Sequence, residues 1–111
     1  MDQKKDSIVL CGANSYEEKY YLNPQFDNLP KQVKQELQIM CVLYVNDVGG
    51  ILLLEFAPDG TLQFRTEAME NDTTYDEIGS VLKIKELQRT KEELLRSLEL
   101  YYKVLLANGL G

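Results

Sequence analysis

Between Ile51 and Ala68 the chain reads Ile-Leu-Leu-Leu-Glu-Phe-Ala, then Pro58-Asp59-Gly60, then Thr-Leu-Gln-Phe-Arg-Thr-Glu-Ala. This pattern predicts a β-hairpin. Pro58 presets φ for the first corner of a type I turn, Asp59 suits the second, and Gly60 supplies the positive φ that closes the loop. With Ala57 facing Thr61, Phe56 falls opposite Leu62 and Leu54 opposite Phe64, so the apolar side chains share one face. A lone hairpin is marginal in water. The flanking segments must therefore widen the sheet and cover it.

Upstream, Ile39-Met40-Cys41-Val42-Leu43-Tyr44-Val45 is apolar on every side and rich in β-branched residues. Two readings are open. The segment can continue a helix to Asp47 with Gly49 as its C-cap, or form a strand that turns at Asn46–Gly50. The strand is favoured, because it completes an antiparallel meander with Ile51–Ala57, apolar on both faces where it begins, in the middle. Ahead of it Asn28-Leu29-Pro30 opens a helix, capped by Asn28, in which Leu29, Val33 and Leu37 share a face as far as about Gln38. Ser15 and Glu18 fit a capping box, which predicts a short helix over Tyr16–Leu22. Ser7–Cys11 is a candidate edge strand, and residues 1–6 are expected to fray.

After the hairpin, Thr74 and Glu77 form a second capping box, and nothing forbids helix from Tyr75 to Leu106. Asn108-Gly109 provides a C-cap, with Leu110 placed to fold back onto the last turn. Tyr75, Ile78 and Leu82 share a face of the first half; Ile84, Leu87, Leu94, Leu98, Tyr101 and Leu105 share a face of the second. At about 100° per residue the two stripes point in roughly opposite directions. One continuous helix would span roughly 48 Å, against about 30–35 Å for a compact domain of this size. Either the element breaks near Gln88-Arg89-Thr90, where Thr90 and Glu93 offer a third capping box, or it overhangs and carries its second stripe to a partner, most simply its twin. The first stripe is expected to pack on the Leu54/Phe64 face. The fold class is therefore α+β, one domain over residues 1–111. A three-stranded antiparallel β-meander, four-stranded if Ser7–Cys11 joins it, packs against helices with a long or broken C-terminal helix.

Composition narrows the chemistry. The chain contains no histidine, which removes Ser-His and Cys-His dyads, imidazole acid–base catalysis and His-containing zinc sites. Its net charge of −6 disfavours nucleic-acid and anionic-membrane partners. Cys11 and Cys41 stand apart with no CxxC pattern and are expected as reduced thiols. The acidic start carries no signal-peptide pattern, no apolar run approaches a membrane span, and the expected location is the cytoplasm.

The remaining constellations read mainly as structure. Cys11 precedes a turn, where a thiol can be activated, but with no base beside it an incidental thiol is favoured; Cys41 reads as core. Glu67, Glu70, Asp72, Asp76 and Glu77 match no EF-hand spacing and read as a solvated connector. Gly49-Gly50 is turn chemistry rather than a phosphate loop, and Gly79 inside a helical pattern points to close packing of helix on sheet. Lys83, Lys85, Arg89 and Lys91 form a basic run interrupted by acids. No cofactor motif is present.

The segments Asp47-Val48-Gly49-Gly50-Ile51, Leu54-Glu55-Phe56, Tyr75-Asp76-Glu77-Ile78-Gly79-Ser80 and Leu82-Lys83-Ile84-Lys85 resemble a family of short bacterial proteins known only as a domain of unknown function. The resemblance implies no activity. In architecture and charge the chain is also similar to small acidic secretion chaperones, an analogy of fold alone. The leading expectation is a non-enzymatic protein acting by self-association, as a homodimer, or with a protein partner. Its contact residues would be Leu87, Leu94, Leu98, Tyr101, Tyr102 and Leu105. The alternative is a small ligand-binding domain or histidine-free enzyme using Tyr75, Asp76 and Lys83.

Overall fold

A computed structural model describes residues 7–109; the expectations for residues 1–6 and Leu110 lie outside them. In chain order the elements are β1 (Ile8–Asn14), β2 (Lys19–Leu22), a single 3-10 turn at Pro24–Phe26, α1 (Lys31–Val48), β3 (Ile51–Phe56), β4 (Leu62–Glu67), α2 (Glu77–Thr90) and α3 (Glu92–Ala107). The strands form one antiparallel sheet in the order β2-β1-β3-β4. The fold class is α+β, as expected.

The β3–β4 hairpin has the predicted register, with Phe56 opposite Leu62 and Leu54 opposite Phe64. Gly60 takes φ 93°, its N–H donates to Ala57 O, and Asp59 Oδ1 accepts from Thr61 N at 2.9 Å. The partner on the other side of β3 is β1, not Ile39–Val45. β1 is thus an inner strand rather than an edge, and it tightens against β3 at Gly12, where a Cβ would stand 2.7 Å from Leu52 O.

Ile39–Val45 is helix, part of α1. Met40, Cys41, Tyr44, Val45 and Val48 face the core, while Ile39 and Leu43 are exposed. The apolar run reflects a helix with hydrophobic residues on its buried face and two more on its open one, a pattern that periodicity alone reads as strand. Pro30, rather than Asn28, stands at the N-cap.

Tyr16–Leu22 is not a helix. Asn14 Oδ1 accepts from Tyr16 N at 2.8 Å and from Glu17 N at 3.1 Å, an Asx turn that competes with the capping box. Glu18 then adopts φ 55°, and the chain returns as β2, pairing Ala13 with Tyr20 and Cys11 with Leu22.

The C-terminal element is broken. The break falls at Lys91 (φ −110°, ψ 22°), one residue beyond the predicted stretch. Thr90 Oγ1 donates to Glu86 O at 2.9 Å instead of capping the next helix. The break turns the second stripe onto the domain.

The core lies between the Leu52/Leu54/Phe56 face of the sheet and helices α1 and α3. At its centre the Phe56 and Tyr102 rings stack at 4.2 Å, with Phe26 tilted against both. On the far flank Glu99 of α3 accepts the N–H of Leu62, on edge strand β4, at 2.8 Å. It is α3, not the first half of the element, that covers the hairpin. α2 packs chiefly on α1 and α3.

Candidate functional site

The residues expected to meet a partner are drawn inward. Leu98 and Tyr102 are each 2% exposed, and Leu87, Leu94, Tyr101 and Leu105 are half-buried against the same core. They are brought together as the cement between the helices and the sheet.

Tyr75, Asp76 and Lys83 do not converge on one site. Tyr75 donates to Ser80 Oγ at 2.9 Å, and Tyr44 hydrogen-bonds to the same Ser80 oxygen. Asp76 caps α2, its Oδ1 accepting from Gly79 N at 2.8 Å. Gly79 makes room for that carboxylate, since a Cβ there would collide with it; the three atoms nearest that Cβ all belong to Asp76, not to the sheet. The N-cap of α2 is therefore Asp76 rather than Thr74, and the helix starts at Glu77 rather than Tyr75. Lys83 bonds Asp47 of α1 at 2.9 Å, which holds its pKa above the ordinary lysine value. That shift is opposite to the one a nucleophilic or basic lysine needs.

The other groups are also committed to structure. Cys11 and Cys41 are free, buried thiols 3.9 Å apart, and the hydrogen bond between them, with burial, raises the Cys41 pKa away from thiolate chemistry. Asp72 closes the connector by accepting from Thr74 N and Thr74 Oγ1 at 2.9 and 2.6 Å and from the Tyr16 hydroxyl at 2.6 Å. These bonds, those of Thr74 foremost, lower its pKa. Among the described residues no three His, Cys, Asp or Glu side chains come together in a group able to hold a metal ion. No described helix is long and apolar enough to cross a membrane.

What remains open is apolar surface. Helix α2 turns Ser80, Ile84 and Leu87 inward, so Ile78, Val81 and Leu82 point out, 75%, 55% and 62% exposed. Met69 is exposed next to them, lining with Ile78 the cleft at the start of the helix. Between α1 and α2 runs a groove of about 260 Å³ lined by Ile39, Met40, Leu43 and Leu87. Lys83–Asp47 and Lys91–Glu36 ion pairs bridge the two helices beside it. It is smaller than the roughly 300–1,000 Å³ of a typical small-molecule site.

Of the first stripe, expected to pack on the sheet, Ile78 and Leu82 are exposed while Tyr75 turns inward; α3 also exposes Leu100 and Val104. The signal was present in the two opposed stripes of the C-terminal element. A chain that folds its second half onto the core leaves the other stripe outside.

No curated protein and no solved structure is significantly similar to this chain. Over residues 7–109 it matches a family of unknown function, DUF6145, and the chain belongs to that family.

Proposed function

We propose that this protein works without catalysis, by binding protein through the outward face of α2. The observation that carries the reading is the side-by-side exposure of Ile78, Val81 and Leu82. Grouped apolar residues on a soluble domain mark contact surfaces more often than isolated ones do. Tyr75, Asp76, Lys83 and both cysteines already hold structural bonds, which supports a role outside catalysis. We further infer that it acts in the bacterial cytoplasm, where neighbouring thiols such as Cys11 and Cys41 stay reduced.

The test is a photo-cross-linking residue in place of Val81 in the full chain, activated in living cells. Defined protein adducts are expected, and they should disappear when Ile78→Ser and Leu82→Ser are added. Absence of adducts, or adducts indifferent to those two changes, overturns the reading.

A further inference from the structure

The outward face of α2 is polarised along its length. At about 100° per residue, Ile78, Val81, Leu82, Lys85 and Arg89 fall within an arc of roughly 100°, and all five are exposed. The apolar residues thus continue into two cations toward the C-terminal end. Glu70 and Glu77 stand at the opposite end, lining with Met69 and Ile78 the cleft where the helix begins. Among the described residues none of these four charged side chains is in an ion pair, whereas Lys83 and Lys91 on the inner flank are paired to Asp47 and Glu36.

An acidic partner would match the Lys85/Arg89 end and be repelled by Glu70 and Glu77; a basic partner would do the reverse. A surface with this order is complementary to itself turned through a half rotation. We propose that the face binds a second copy of the same chain, with two α2 helices antiparallel across a two-fold axis beside Leu82. This rests on the reading of the face as a protein-binding surface and names its partner.

The axis puts Leu82 against its twin, Ile78 level with Glu86, and Arg89 level with Tyr75. Lys85 and Arg89 of one protomer then lie over the acidic end of the other, and symmetry makes that contact twice. The helix dipoles also run antiparallel. Charge complementarity of this kind fixes register and partner choice. Four apolar residues are far fewer than the roughly 20–30 per side of a standard stable interface, so the dimer is expected to dissociate on dilution.

Sedimentation velocity of the full chain across the micromolar range should show a monomer–dimer equilibrium. Two double variants, Glu70→Lys/Glu77→Lys and Lys85→Glu/Arg89→Glu, should each weaken it at least tenfold. Mixed in equal amounts, they should associate again as a heterodimer, because each then supplies the charge its partner lacks at both ends. Leu82→Cys should oxidise to a symmetric disulfide-linked dimer, the native cysteines being buried. Circular dichroism melts establish that every variant is folded. The proposal is overturned by a wild type that stays monomeric, by charge-reversed chains that dimerise as well as wild type, or by folded variants that fail to pair on mixing. Adducts at Val81 with other proteins from a strictly monomeric chain would refute self-pairing and leave the surface reading standing. No adducts at all would remove both.

Discussion

Tyr44 and Ser80 share a hydrogen bond that crosses from α1 to α2 inside the domain. Ser80 is 3% exposed and also receives the Tyr75 hydroxyl, so two tyrosines depend on one small side chain. Ser80→Ala strands them and is expected to cost about 1–3 kcal/mol, read as a lower denaturation midpoint with an unchanged slope.

The same burial sets the alkaline limit. Removal from water pushes Tyr44 up to about 12 and raises Tyr20 and Tyr102 above the ordinary value of 10. The unfolded chain loses these protons as pH passes about 10 while the native chain keeps them. Stability is therefore full below about pH 10 and falls progressively toward pH 12. Urea titrations at stepped pH should show the decline, and Tyr44→Phe should make it shallower.

Leu98 and Leu82 make a diagnostic pair, because one is buried and the other 62% exposed on the preceding helix. Leu98→Ala should cost about 2–5 kcal/mol, and Leu98→Asp should unfold the whole chain. At concentrations low enough for the chain to be monomeric, Leu82→Asp should shift stability by no more than about 0.5 kcal/mol. Thermal melts of the three variants decide this; equal losses at both positions would contradict the placement of α2.

Gly79 and Asp76 are coupled through the cap. Asp76→Ala is expected to cost about 0.5–2 kcal/mol. Gly79→Ala gains about 1 kcal/mol of helix propensity but drives its Cβ into the Asp76 carboxylate. In the Gly79→Ala background, Asp76→Ala should therefore cost less than in wild type, a non-additivity that a double-mutant cycle measures.

The hairpin was legible from its sequence because its determinants are local: a Pro-Asp-Gly turn and side chains that alternate about it. The break in the C-terminal element was one of two readings that its length left open, and it falls at Lys91, one residue beyond the stretch named for it. Ile39–Val45 and Tyr16–Leu22 were misread because each has a plausible local form that tertiary pairing overrides. β1 occupies the place beside β3 that Ile39–Val45 would have taken, which leaves that segment helical. Asn14 folds the chain back before Ser15 and Glu18 can cap a helix. The burial of the second stripe was hard to foresee for a related reason. Sequence shows that α2 and α3 carry opposed apolar stripes, but which stripe is covered depends on where α3 lands. Its landing is fixed by the Phe56–Tyr102 stack and the burial of Leu98, contacts distant in sequence.

The bond from Leu62 N to Glu99 bears on how wide this sheet can grow. Thr61 O accepts from Ala57 N within the hairpin, so the next amide, that of Leu62, points away from β3. It is one of the groups an added strand would pair with, and a carboxylate from another helix already holds it. A foreign strand seeking this amide would have to expel Glu99, and a bare glutamate near its own backbone carbonyls would then oppose it. Strand addition at an open edge is a common route from a folded domain to an aggregate. Here one side chain takes one outward amide of β4 out of that route.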